Sequence, residues 1–170
     1  MPSLLIRNIQ TLVTCGDDTP VLHGADLYAE DGVIRAIAPA LPHETADTVL
    51  DGSHFACYPG LVNTHHHLYQ VFSRNLAQVQ NMELFDWLTT LYEIWKSLDA
   101  ETVRLSTLTG CGELLKYGCT TCFDHHYVFP AGAGDLIGAQ FAAAEELGIR
   151  MFASRGSMDL SKKDGGLPPD

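Results

Sequence analysis

The sequence predicts an α/β protein, a small β unit followed by the opening of a parallel (β/α) barrel. Three observations carry this. Residues 3–58 hold only short β-branched or alternating runs separated by turn residues. From Pro59 onward the pattern becomes strand, helices, strand, helix, strand, which implies a parallel sheet with right-handed crossovers. The polar clusters His65-His66-His67, Asp124-His125-His126 and Ser154-Arg155 all follow strand ends, and in a (β/α) barrel the C-terminal strand ends carry the chemistry.

In order, Leu4–Arg7, Thr11–Thr14, Ala25–Ala29, Val33–Ala38 and Thr48–Leu50 read as strands, with turns at Asp31-Gly32 and Asp51-Gly52. The expectation is a small antiparallel unit. Leu61 and Val62 begin the first strand of the second part. Residues 81–97 read as a helix, because Leu84, Leu88, Leu91 and Trp95 recur at helical spacing, a packing stripe flanked by Phe85 and Tyr92. Asp99 reads as the N-cap of a helix to about Tyr117, stopped by Gly118. Cys119–Phe123 is the next strand, Asp135 opens a helix stopped by Gly148, and Ile149–Ala153 is the third strand. The tail from Ser154 to Asp170 reads as loop.

Composition narrows the function classes. The chain has 170 residues, 46% of them hydrophobic, enough to build a core. A formal net charge of −11 argues against a nucleic-acid partner, which needs a basic patch. Five widely spaced cysteines are no disulfide framework and read as reduced thiols, so a cytoplasmic location is expected. The N-terminal run reads as a strand rather than a signal peptide, and no apolar stretch approaches the roughly 18 residues of a membrane span.

The most informative run is Pro59-Gly60-Leu61-Val62-Asn63-Thr64-His65-His66-His67. Alternate side chains of an extended segment share a face, so His65 and His67 point one way and His66 the other. Two imidazoles on one face at a strand end can hold one divalent metal, with further ligands from elsewhere. Core or capping histidines are the plainer reading of such a pair, and the βα context favours the metal.

This run resembles the first-strand signature of the amidohydrolase superfamily. His67-Leu68-Tyr69-Gln70, Arg74-Asn75-Leu76, Leu84-Phe85-Asp86-Trp87-Leu88, Gly118-Cys119-Thr120-Thr121, Asp124 to Pro130 and Ser154 to Met158 are similar to its aminohydrolase branch, which contains 8-oxoguanine deaminase and the hydroxyatrazine and triazine hydrolases. The resemblance implies an incomplete metal-dependent (β/α)8 TIM barrel preceded by a small N-terminal β half-sandwich. Residues 1–58 would form the half-sandwich and residues 59–170 the first βα units of a truncated barrel. It implies one Zn2+ per active site, with His65 and His67 as ligands. The remaining ligands and the proton-shuttling His and Glu are expected beyond Asp170. A zinc ion with an open position lowers the pKa of its water to about 7. Attack on an amino-bearing ring carbon would then release ammonia, and 8-oxoguanine is the first substrate choice, hydroxylated triazines the second. A small heterocycle is the expected partner, with no nucleic acid and no membrane, and a homo-oligomer is allowed for the full-length protein.

Substrate contacts are expected from Gln70, Trp87 and Arg155. The Gln70 carboxamide both donates and accepts, which suits a purine or triazine edge; the alternative is a solvated loop residue. Trp87 is placed to stack on a flat ring beside Asp86, and alternatively belongs to the apolar stripe. Arg155 suits a ring oxygen, or else organises its loop. Asp124-His125-His126 reads as support for the metal site or as a satisfied structural cluster. Cys119-x-x-Cys122 suits neither a cytidine-type zinc site nor a redox pair. The former needs an upstream H-x-E and a Pro before the first Cys, but His43 and Glu44 are adjacent and Gly118 precedes Cys119. The latter should open a helix, and these cysteines lie in a strand, facing opposite sides.

A complete barrel takes about 250 residues, so the chain is expected to be an N-terminal piece, inactive alone. The competing expectation is a non-catalytic remnant. A continuation carrying a further His-x-x-Glu pair and a late-strand Asp separates the two.

Overall fold

The computed structural model describes residues 2–41 and 45–167. The His43-Glu44 dipeptide and the final Pro168-Pro169-Asp170 lie outside the described residues. The chain divides into two compact units, Met1–Pro59 and Gly60–Asp170.

The first unit contains β1 (Ser3–Ile9), β2 (Thr11–Val13), β3 (Val21–Leu22), β4 (Ala25–Glu30), β5 (Val33–Ala38), β6 (Thr48–Asp51) and β7 (Ala56–Cys57). They form two sheets, in the orders β5-β4-β1-β6 and β3-β2-β7. The Asp31-Gly32 turn is as the sequence requires. Glu30 pairs with Val33, so these two residues are the whole loop, and both have positive φ, 55° and 74°. That is the type I′ geometry which matches strand twist. The core is Ile9, Leu12, Ala25 and Leu27, flanked by Ile6, Leu22 and Cys57.

The purely antiparallel expectation fails here. β6 runs parallel to β1, and β7 runs parallel to β2. Gly52 permits the close return. Its N–H donates to the Arg7 carbonyl at 2.7 Å, and a Cβ at this position would sit 2.9 Å from the Ile9 Cα. The strands β3 and β7 were not expected; at two residues each they are too short to show alternation.

The second unit is mixed α/β. It contains β8 (Leu61–His66), α1 (Leu84–Trp95), α2 (Ala100–Lys116), β9 (Cys119–His126), α3 (Leu136–Leu147) and β10 (Arg150–Arg155). The three strands form a parallel sheet with β9 in the middle. No closed barrel is formed among the described residues. The helix limits follow their caps. Asp99 accepts from the Thr102 N–H at 2.7 Å, and Asp135 from the Gly138 N–H at 2.8 Å. Gly118 and Gly148 take the left-handed conformation that ends α2 and α3.

Three expectations change. The first helix starts at Leu84 rather than at residue 81, and Leu84 and Phe85 are more than 60% exposed. The core of Tyr69, Val103, Val128 and Leu136 buries Leu91, Tyr92 and Trp95 of α1, and Trp87 and Leu88 pack against it half-buried. The residues after the histidines coil into a 3-10 turn, Leu68–Ser73, rather than an open loop. β9 and β10 run further than expected, because Ser154 pairs with His125 and Arg155 with His126. The two polar clusters are therefore the last residues of strands, not the first residues of loops.

The faces of β9 differ with period two. Cys122, Asp124 and His126 are buried. Cys122 packs with Cys111 of α2 and Ala144 of α3. The alternate face carries Phe123, 37% exposed, beside Phe152 of β10, 63% exposed. Among the described residues no helix is long and apolar enough to cross a membrane.

Candidate metal centre

β8 ends in His65 and His66, and His67 follows as the residue that leads into the 3-10 turn. The register of β8 against β9 shifts between Asn63 and His66. His65 Nε2 and His67 Nε2 approach to 3.2 Å, with the rings edge to face at 85°. His66 turns away toward α2, where a Cβ on Gly110 would lie 3.9 Å from its ring. Its Nδ1 is buried without a partner, and burial pushes its pKa down, partly offset by the Asp124 charge.

The ring of His67 is held from its other side. His67 Nδ1 lies 2.8 Å from the backbone carbonyl of His125. A carbonyl can only accept, so Nδ1 carries the proton, and the lone pair of the neutral ring is at Nε2, within hydrogen-bond distance of His65 Nε2. That lone pair belongs to the nitrogen facing His65. A tetrahedral zinc ion bonded to two nitrogens at about 2.0–2.1 Å keeps them about 3.3–3.4 Å apart. The observed pair fits that spacing, and a ring donating its N–H to a carbonyl is the usual support of a metal-bound histidine. Among the described residues no cluster of three or more His, Cys, Asp or Glu side chains is assembled for a metal, and His65 and His67 stand as a pair.

A cleft of about 250 Å³ adjoins the pair, lined by His65, His66, His67, Gln70, Val71 and Arg74. Gln70 is therefore brought to the same cleft as the histidines. Its Nε2 lies 3.2 Å from both Tyr69 Oη and Tyr127 Oη, which leaves the carbonyl as its free end. Burial holds the Tyr69 phenol well above its usual pKa. Tyr127 had no expected role. Its ring meets that of His67 edge-on at 5.2 Å. Its position directly after Asp124-His125-His126 was the available signal.

Trp87 and Arg155 are not among the residues lining this cleft. Trp87 is half-buried on α1 and packs edge-on against Trp95 at 5.6 Å. Asp86 beside it is exposed. Arg155, exposed at the end of β10, places its guanidinium 4.3 Å from the centre of the Phe129 ring. In the cluster on β9, His125 Nδ1 pairs with Ser154 Oγ, and His126 Nε2 pairs with the Val128 carbonyl at 2.8 Å. Asp124 accepts two hydrogen bonds, from the Leu68 N–H at 2.6 Å and Gln140 Nε2 at 2.8 Å. Cys119 and Cys122 are both buried, and the Cys119 thiol donates to the Thr121 carbonyl.

Known proteins share this architecture. The chain is 48% identical to 8-oxoguanine deaminase of Pseudomonas aeruginosa over 145 residues, covering 84% of this chain and 32% of that protein. It is 36% identical to hydroxydechloroatrazine ethylaminohydrolase of Pseudomonas sp. strain ADP, over 100% of this chain and 38% of that protein. The crystal structure of atrazine chlorohydrolase from Arthrobacter aurescens TC1, complexed with zinc, superposes with a TM-score of 0.86 at 31% identity, over 98% of this chain and 38% of that one. The chain thus spans about a third of the length of the curated relatives it matches. The sequence profile of the amidohydrolase family matches residues 56–168, and the chain belongs to that family.

Proposed function

We propose that this chain supplies the first metal-binding arm of a zinc-dependent hydrolytic deaminase acting on an amino-substituted purine, with 8-oxoguanine, giving urate and ammonia, as the first choice. The observation that carries the reading is the 3.2 Å approach of His65 Nε2 and His67 Nε2, with His67 fixed in the ligand-competent tautomer by His125. In this reading β8, β9 and β10 open a (β/α)8 barrel over residues 59–170, and residues 1–58 form a half-sandwich before it. The exposed face with Phe123 and Phe152 then belongs to the barrel interior, which further strands must cover.

When bound, zinc supplies a water whose pKa is lowered to about 7. The chain's own residues hold and orient. His65 and His67 present two neutral imidazoles to the ion. Gln70 offers its carbonyl to an N–H or amino group on the ring edge, because both tyrosine oxygens engage its amide nitrogen. Trp87 would offer an aromatic flank and Arg155 a guanidinium for a ring oxygen, although neither lines the cleft beside the histidines. The net charge of −11 accords with a small neutral heterocycle in the cytoplasm rather than a polyanion.

A second reading, a hydroxyatrazine or triazine type of aminohydrolase, draws on the match of the whole chain to hydroxydechloroatrazine ethylaminohydrolase. Release of ammonia from 8-oxoguanine and guanine, set against release of ethylamine from hydroxyatrazine, by the full protein separates them, since the preferred substrate gives the highest kcat/KM. Zinc content by mass spectrometry tests the pair itself. The His65→Ala/His67→Ala variant is expected to lose its zinc, and equal zinc in variant and wild type removes the reading. The 170-residue chain on its own is expected to show no turnover, because it brings two imidazoles and no third ligand together among the described residues.

A further inference from the structure

We infer that Asp124 is the positioning residue of the histidine pair, acting through the backbone at Leu68, and that Gln140 of α3 sets the aim of Asp124. The inference rests on the reading of His65 and His67 as a metal pair.

The 3-10 turn after the histidines begins at Leu68, and its N-cap residue, His67, provides no side-chain hydrogen bond to the turn. The first N–H of such a turn has no partner within it. Here the partner comes from 56 residues away. Asp124 Oδ1 accepts the Leu68 N–H at 2.6 Å. The second oxygen accepts from Gln140 Nε2 at 2.8 Å, and Asp124 and Gln140 are both fully buried. A buried carboxylate needs its oxygens engaged, and a charged acceptor makes the stronger bond.

The placement matters because His67 is held on both sides by consecutive residues of β9. Its ring N–H goes to the His125 carbonyl, and the peptide that follows it goes to the Asp124 side chain. The first bond orients the imidazole, and the second fixes the chain direction at the His67 Cα. Together they keep His67 Nε2 facing His65.

The geometry also identifies a conservative replacement. Gln140 Oε1 is buried with no partner. In Asp124→Asn, the new side chain can keep the Leu68 bond through Oδ1 and donate through Nδ2 to a flipped Gln140 amide. Asp124→Ala loses both bonds. Gln140→Leu keeps the Leu68 bond but frees the carboxylate to swing.

The test is a cobalt(II) titration of the full protein that carries this chain, with its native metal removed, read by visible absorption. Hydrogen exchange at the Leu68 amide is read in parallel. Asp124→Ala is expected to bind cobalt(II) about 10–100-fold more weakly, the usual cost of losing a residue that supports a metal ligand, and to exchange faster at Leu68. Asp124→Asn is expected to stay close to wild type in both, and Gln140→Leu to fall between. A folded Asp124→Ala with wild-type affinity overturns the inference, as does an Asp124→Asn as weak as Asp124→Ala. If Asp124→Ala does not fold, Gln140→Leu decides, and wild-type affinity there overturns it. Unchanged cobalt(II) affinity in His65→Ala/His67→Ala identifies the metal-pair reading itself as the failure.

Discussion

The two faces of the β8-β9-β10 sheet are built from the same strands and have little else in common. On the helix-covered face Cys122, Asp124 and His126 are buried among α2, α3 and the 3-10 turn. On the open face Phe123 and Phe152 lie side by side and exposed, while His65 and His67 converge at the strand ends. The covered face determines where the backbone goes. The open face carries the two converging histidines. On the proposed reading a metal arm is precise although its own face is uncovered, because its precision comes from the other side of the sheet.

Stability measurements can break that contrast. The largest effect is expected at Leu68, which is fully buried on the covered side. Leu68→Ala should cost about 2–5 kcal/mol by urea denaturation; a loss comparable to that of an exposed residue would remove the distinction. Cys122→Ser, one residue from Phe123 but on the covered face, should cost about 1–3 kcal/mol because a hydroxyl enters an apolar cluster. In the 170-residue chain, Phe152→Ser on the open face should stay within about 0.5 kcal/mol, the range of ordinary surface changes.

Acidification sharpens the same contrast. Burial lowers the pKa of His126, and the carbonyl of Val128 and the charge of Asp124 only partly offset it. Both forms of the chain hold a neutral imidazole well above the unfolded value of about 6.5. As the pH falls through that value the unfolded chain takes up a proton that the folded chain resists, so stability falls. Urea midpoints at pH 7.5 and 5.5 should differ in this sense, and the difference should shrink in His126→Asn. Identical midpoints at both pH values would show that the buried histidine does not contribute.

Local signals in the sequence reached far into the second unit. The Asp99 and Asp135 caps and the Gly118 and Gly148 stops are all short-range features, and each is where the residues predict it. The histidine pair was legible for the same reason, since i and i+2 on a strand need no distant partner to share a face. What stayed hidden depends on contacts across the chain. The parallel return of β6 along β1 rests on the close approach of Gly52 to Ile9. The proton position on His67 depends on a backbone carbonyl of His125, which any residue type would have presented. The bond from Leu68 to Asp124 joins two motifs whose sequences say nothing of each other. Trp87 and Arg155 were chosen for what their side chains can do, while their locations depend on packing with Trp95 and Phe129.

Gly110 has a mechanical consequence. α2 crosses the 3-10 turn at this glycine, where a Cβ would come within 2.6 Å of Leu68 Cδ2 and 3.2 Å of Val71 Cγ2. The helix acts as a gauge block, and the absent methyl sets the gap. Adding it in Gly110→Ala would work as a shim, displacing the turn by tenths of an ångström and tilting the imidazole at its head. On the proposed reading, metal affinity is therefore open to tuning by substitutions in α2, and a search for variants with altered affinity should include this helix as well as the histidines.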